Sequence, residues 1–151
     1  VIPFVDNSKL ESSKDFDNIV SFLDDFESLT NKLNINLALE TDLEPKSFYD
    51  FLDKFKNKRV TVNYDSGNSA SLGYPFEEEL NLYGDKITNV HIKDRIYNGG
   101  PVFLGEGDAE LKNVKSFICN KSYDGVVTFQ AFRDDNQLDT FTRQLNYFVN
   151  L

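Results

Sequence analysis

The chain contains a single histidine, His91, in an apolar, β-branched segment that is followed directly by charged residues. Such a segment is typical of a strand. Glu40, Asp65 and Gln130 stand in the same kind of position, each at the end of another apolar, β-branched run. The carboxyl ends of parallel strands lie along one edge of a sheet, so residues that are far apart in sequence meet there. We therefore expect these four polar side chains to face one site.

Two carboxylates and an imidazole that converge on one point form the ligand set of a catalytic divalent metal. Glu40, Asp65 and His91 could supply that set. Each group also has a structural alternative. A lone histidine in a strand can be a hydrogen-bonded core or rim residue, and a carboxylate at a strand end can cap the next helix, an alternative that suits Asp65 better than Glu40.

Short β-branched runs alternate along the chain with longer segments in which Phe and Leu recur at helical spacing. We predict strands at residues 1–5, 35–40, 59–65, 87–93 and 125–130. We predict helices at about 13–33, from Pro45 onward, from Pro75 to a stop at Gly84, at about 109–120 and at 135–150. The acidic run at 77–79 is expected to be a solvated helix start.

This β-α alternation predicts an α/β fold with parallel strands and right-handed crossovers. A doubly wound sheet and part of a (β/α)8 barrel both have this pattern. Five units in 151 residues is about 30 residues per unit, and eight such units give the roughly 250 residues of a barrel. The chain also begins with Val and contains no methionine. We therefore predict that residues 1–151 form a single domain, a partial (β/α)8 barrel of about five βα units, and that they are a fragment of a longer chain.

The composition bears on partners and location. A net charge of −9 and a pI near 4.5 argue against nucleic acid as a partner, because phosphate binding needs clustered Lys and Arg. No apolar run approaches the roughly 20 residues of a membrane span, so no membrane role is expected. The single cysteine, Cys119, cannot form an internal disulfide, which favours a cytoplasmic location. The open edges of a half-barrel would favour a homo-oligomer.

Residues 62–114 resemble the xylose isomerase-like TIM-barrel superfamily of sugar and sugar-phosphate isomerases and epimerases. The shared features, in order, are D-x-G-N at a strand end, EEL…YG in a helix, NVHIKD on the next strand and LGEGD in a loop. A weaker resemblance extends over about 35–134 and implies strands four to eight of the barrel. It also implies one divalent metal ion, Mn, Mg, Co or Zn, bound by Glu40, Asp65 and His91. The fourth metal position of the family falls on Gln130, where epimerases usually have a glutamate.

The resemblance implies a small-molecule sugar or sugar phosphate as the substrate. Family members typically remove the proton next to a metal-bound carbonyl to form an enediolate, and Glu40 is the expected base. Gln130 cannot exchange a proton near neutral pH. An isomerase that needs one base therefore fits this sequence slightly better than an epimerase that needs two.

Four residues are expected to contact the substrate. Asn68 could hydrogen-bond a sugar hydroxyl, or it could be a turn residue. Lys93 and Arg95 could bind a carboxylate or phosphate, or they could form exposed salt bridges. Asp94 could contact the substrate, and Asp94 or Lys93 could supply the acid that Gln130 lacks.

The same superfamily includes enzymes with other functions. Apurinic endonucleases use several metal ions, and a single histidine together with a negative charge argues against that activity here. A keto-polyol dehydratase with the same metal and base stays open, and so does a non-catalytic sugar-binding relative. An isolated half-barrel would lack half of the pocket, and we expect it to be a poor enzyme.

Overall fold

The structure, a computed structural model, describes residues 1–120 and 123–151. Within these residues the strands are β1 Ile2–Phe4, β2 Leu37–Thr41, β3 Val60–Asp65, β4 Ile87–Ile92 and β5 Val126–Phe129. The α-helices are α1 Ser13–Asp24, α2 Glu27–Leu33, α3 Pro45–Leu52, α4 Ser66–Leu72, α5 Phe76–Tyr83, α6 Leu111–Ile118 and α7 Gln137–Val149. Short 3-10 turns occupy Asp6–Ser8 and Gly84–Lys86.

The five strands form one parallel sheet in the order β1-β2-β3-β4-β5. Each strand therefore pairs with the next one along the chain. A doubly wound sheet reverses its strand order at a switch point, whereas this order is that of a (β/α)8 barrel. The sheet stays open between β1 and β5, so the predicted partial barrel of five βα units is confirmed.

The helices differ from the prediction in two places. The segment predicted as one helix over 13–33 is broken between α1 and α2, where the Asp24 carboxylate accepts hydrogen bonds from the backbone N–H groups of Lys56 and Asn57. Helix α4 was not predicted, because its sequence SGNSASL has the composition of a turn. Asp65 caps its start, and Gly73, with a φ of 75°, ends it in the left-handed conformation.

The two faces of the sheet differ in chemistry, because successive side chains of a strand point to opposite faces. Leu39, Val62, Val90 and Ile92 are at most 1% exposed and pack into the helix-facing core. The residues between them on β2, β3 and β4 are polar, and they lie on the opposite face: Glu40, Asn63, Asp65, Asn89 and His91. This face corresponds to the interior of a barrel, and it presents the polar groups at the carboxyl ends of the strands.

None of the helices in the described ranges combines the length and the apolar composition that crossing a membrane requires.

Candidate metal centre

Three of the four polar residues at the strand ends come together in the structure. Glu40 is next to last in β2, Asp65 is last in β3, and His91 is next to last in β4. Asp65 and His91 are direct neighbours in the β3–β4 register. One ligand atom from each of the three residues lies within 4.8 Å of the others. His91 Nδ1 is 3.6 Å from both Glu40 Oε2 and Asp65 Oδ2.

The Asp65 carboxylate divides its two oxygens between two roles. Oδ1 accepts hydrogen bonds from the backbone N–H groups of Gly67 and Asn68, at 3.0 and 2.9 Å, and so caps α4. Oδ2 is buried and has no hydrogen-bond partner within the described residues. A buried unpaired oxygen costs about 1–3 kcal/mol. A cation shared with Glu40 and His91 would offset that cost, so the donor set and its burial fit a divalent metal ion.

Both oxygens of the Glu40 carboxylate are held by amides. Asn68 Nδ2 donates to Oε1 and Asn63 Nδ2 donates to Oε2, each at 2.7 Å. Burial raises the pKa of Glu40, and the negative charge of Asp65 raises it further, while His91 and the hydrogen bond from Asn63 act in the opposite direction. A carboxylate with a raised pKa is a stronger base, so burial favours proton uptake by Glu40, whereas a bound cation would oppose it.

Asn63 is a site residue that was not predicted. Asn63 is buried. Its amide nitrogen donates a hydrogen bond to Glu40 Oε2 and lies 3.2 Å from His91 Nδ1. Its carbonyl oxygen accepts a hydrogen bond from Asn89 Nδ2. The signal was present in the sequence, because Asn63 precedes Asp65 by two residues on a strand and therefore shares its face.

Asn68 lies in the first turn of α4, so it is a helical residue that faces the cluster and not a turn residue. Its Oδ1 accepts hydrogen bonds from Arg95 Nη1 at 3.1 Å and from Lys93 Nζ at 3.4 Å. Gln130 directly follows β5, and its Oε1 accepts a hydrogen bond from Lys93 Nζ at 3.4 Å. Lys93 thus links Gln130 to the cluster, since its Nζ is also 3.8 Å from Asp65 Oδ2.

Asp94 has surroundings different from those we expected. It is fully buried, and its carboxylate accepts hydrogen bonds from the backbone N–H groups of Gly105, Gly107 and Ala109. These three groups belong to the loop after β4, so the carboxylate organises that loop and is not presented to a substrate. The reason is strand alternation, which turns Asp94 away from the face that carries His91 and Lys93.

Glu79 corrects the expectation that the acidic run 77–79 is solvated. Its side chain is 4% exposed, and Oε1 accepts hydrogen bonds from Ser69 Oγ at 3.0 Å and Tyr83 Oη at 2.7 Å. Glu77 and Glu78 are exposed as expected.

The family model of the xylose isomerase-like TIM barrel matches residues 2–150. The uncharacterized protein MJ1311 of Methanocaldococcus jannaschii is 25% identical over 129 residues, which are 78% of this chain and 44% of MJ1311.

Solved structures show the same fold at low identity. A xylose isomerase domain protein from Planctomyces limnophilus has a TM-score of 0.77 at 19% identity, and the match covers 93% of this chain and 55% of that one. An IolI protein solved with a zinc atom has a TM-score of 0.73 at 19% identity, covering 98% and 61%. Other structures of this fold are of sugar epimerases and a probable dehydratase.

The chain therefore spans about half the length of the relatives that it matches. Its open five-stranded sheet agrees with that proportion, because a complete barrel has eight strands. The match of the family model over nearly the whole chain shows that the chain belongs to the xylose isomerase-like TIM barrel family.

Proposed function

We propose that the protein is a metal-dependent isomerase or epimerase of a sugar or sugar phosphate, which acts by removing the proton next to a carbonyl group. The observation that carries this proposal is the cluster of Glu40, Asp65 and His91, in which the buried Asp65 Oδ2 has no hydrogen-bond partner among the described residues. A divalent ion, Mn, Mg, Co or Zn, held by these residues with the Gln130 amide oxygen as the fourth proposed ligand, would supply Lewis-acid polarisation of the carbonyl.

Glu40 is the base of the proposed reaction. The amides of Asn63 and Asn68 fix both carboxylate oxygens, and each oxygen keeps a lone pair that can accept a proton. Burial keeps the carboxylate poorly hydrated and raises its pKa. Loss of such a base lowers a rate by about 10²–10⁴-fold.

Gln130 bears on the choice between isomerisation and epimerisation. Epimerisation by two opposed groups needs a second acid or base, and the Gln130 amide cannot hold or release a proton near neutral pH. Isomerisation needs one base that returns the proton to the neighbouring carbon on the same face. We therefore favour aldose–ketose isomerisation with Glu40 as the single base. Asp94 does not replace the missing acid, because its carboxylate is committed to the loop after β4.

The first experiment measures metal binding. Titration calorimetry with Mn²⁺ on the protein and on His91→Ala and Asp65→Asn is expected to show one strong site that each substitution weakens at least about tenfold. Glu44→Gln, a change of an exposed carboxylate on α3's N-terminal flank, serves as the control and should bind like the original protein. Equal affinities in all four proteins would contradict the proposed centre.

The second experiment measures chemistry. In D₂O with Mn²⁺, deuterium should enter a ketose at the carbon next to its carbonyl, and Glu40→Gln should slow that exchange by about 10²-fold or more. Exchange with formation of an aldose indicates an isomerase, exchange with inversion indicates an epimerase, and loss of water indicates a keto-polyol dehydratase. A protein that binds the metal and the sugar without exchange is a sugar-binding relative, and the proposal then fails.

A further inference from the structure

Two cationic side chains converge on one neutral oxygen at the edge of the candidate metal centre. Arg95 Nη1 lies 3.1 Å and Lys93 Nζ 3.4 Å from the same atom, Asn68 Oδ1. An amide oxygen is a weaker partner for a cation than a carboxylate or phosphate oxygen. Two positive groups at one acceptor are also unexpected in a chain with a net charge of −9. Both groups have capacity for a stronger, negatively charged partner.

The carboxylates near these cations do not fill that role. Within the described residues, no carboxylate forms an ion pair with Arg95, whose Nε donates to the carbonyl oxygen of Gly99 at 3.1 Å. The ion-pair partner of Lys93 is Asp65 Oδ2, at 3.8 Å. That oxygen is the one assigned to the metal, so metal binding would compete with Lys93 for it.

Gln130 places a neutral group beside Lys93 at a position where a glutamate would place a negative charge. Its amide oxygen is 3.4 Å from Lys93 Nζ, at the position where epimerases that this sequence resembles usually have a glutamate. Glu40 and Asp65 balance Lys93 and Arg95, so a divalent ion gives the site a net charge of about +2. A glutamate at position 130 would lower that net positive charge by one. The glutamine keeps the excess positive charge at the mouth of the site.

The fold holds both cations in place. A Cβ atom on Gly67 would lie 2.6 Å from Lys93 Cγ. Because glycine has no side chain, the aliphatic part of Lys93 can cross the first turn of α4. Arg95 is held by the loop after β4: its carbonyl oxygen accepts from the Asp108 N–H at 2.9 Å. The buried Asp94 carboxylate in turn holds this loop.

We propose that the substrate carries an anionic group, a carboxylate or a phosphate, and that Lys93 and Arg95 bind this group beside the candidate metal centre. The identity of the remainder of the substrate rests on the proposed function. The anion site itself does not, because it can be tested with anions that contain no sugar carbonyl.

The test is a calorimetric titration of the protein with inorganic phosphate and, separately, with gluconate, in the presence of Mg²⁺ and again in EDTA. We expect one of the two anions to bind, and the preferred one identifies phosphate or carboxylate as the native group. Lys93→Met and Arg95→Met should each weaken binding by about tenfold or more, as loss of a charge-assisted hydrogen bond predicts. Lys112→Met removes an exposed lysine on α6 and should leave the affinity unchanged.

Two further variants change the site without removing a cation. Gln130→Glu should weaken anion binding, because it adds a negative charge to the site beside Lys93. Gly67→Ala should weaken it as well, because the new Cβ displaces the lysine stem. The proposal is overturned if neither anion binds, or if Lys93→Met and Arg95→Met bind it as tightly as Lys112→Met does.

Failure of the anion site is distinguishable from failure of the proposed function. Deuterium exchange into a neutral ketose, together with no binding of phosphate or gluconate, would keep the isomerase proposal and remove the anion site. Binding of phosphate or gluconate that depends on Lys93 and Arg95, without any proton exchange, would keep the anion site and remove the proposed chemistry.

Discussion

Glu79 is a buried carboxyl group outside the candidate metal centre. Burial raises its pKa from 4.5 to about 7, against the hydrogen bonds from Tyr83 and Ser69, and the charges of Glu78 and Glu110 raise it further. Its second oxygen has no hydrogen-bond partner among the described residues. The folded protein therefore holds this proton more tightly than the unfolded chain does.

This pKa predicts how stability depends on pH. The proton on Glu79 stabilises the fold fully below about pH 4.5, and the contribution is lost as the pH rises through about 7. A rise in pKa from 4.5 to about 7 corresponds to roughly 3 kcal/mol. Urea unfolding between pH 5 and 8 should show a smaller loss of stability in Glu79→Gln than in the original protein. Glu78→Gln, a change of the exposed neighbour, should keep the original slope, and parallel curves for both variants would contradict the prediction.

The candidate site shows which residues a sequence can reveal. Glu40, Asp65 and His91 could be predicted, because each ends an apolar strand and parallel strands end at one edge. Glu79 could not be predicted, because it has the same residue type as its exposed neighbours Glu77 and Glu78. Its burial arises from the packing of α5 in the folded chain, where Glu79 accepts hydrogen bonds from Ser69 of α4 and from Tyr83.

At the scale of elements, the loop after β4 depends on one side chain. The Asp94 carboxylate accepts three backbone hydrogen bonds, from Gly105, Gly107 and Ala109, at 2.8 to 3.1 Å. Asp94→Asn keeps the size of the side chain, but either orientation of the amide turns an N–H₂ group toward a backbone N–H. We expect a loss of at least about 2 kcal/mol in the free energy of unfolding, measured with urea.

Asp108→Asn is the matched control for this substitution. Asp108 lies in the same loop and accepts a hydrogen bond from the Tyr97 N–H, but it is exposed, so water can replace the lost interaction. We expect Asp108→Asn to lower the free energy of unfolding by well under half as much as Asp94→Asn does. Equal losses for the two variants would show that burial of Asp94 does not determine the order of the loop.

Strands and helices differed in how far they could be predicted. The five strands lie within about two residues of the predicted limits, because each is a short, mainly apolar run between turn residues. Helix α4 escaped prediction because two contacts outside its own pattern stabilise it. These are the Asp65 cap at its start and the hydrogen bond from Ser69 to Glu79. Tertiary contacts of this kind leave no periodic signal in the sequence.

At the scale of the whole molecule, the repeat of about 30 residues per βα unit fits both a barrel and a doubly wound sheet, and the strand order β1-β2-β3-β4-β5 is that of the barrel. With five of a barrel's eight strands, the sheet has two open edges. In the described residues β1 pairs only with β2 and β5 only with β4. Large apolar side chains are exposed near β5: Val126 is 63% exposed, Leu138 77% and Phe141 42%.

An exposed strand edge flanked by apolar side chains promotes association between chains. A polypeptide of these 151 residues is therefore expected to self-associate through β5. Sedimentation equilibrium should give a weight-average mass above 17.3 kDa that rises with concentration. Val126→Lys places a charge on the edge strand and should shift the mass toward that of one chain. Leu33→Lys makes the same change at an exposed position on α2, away from β5, and should have a smaller effect. Equal masses for the two variants would locate the association elsewhere, and a single-chain mass for the unaltered polypeptide at all concentrations would show that the β5 edge is protected.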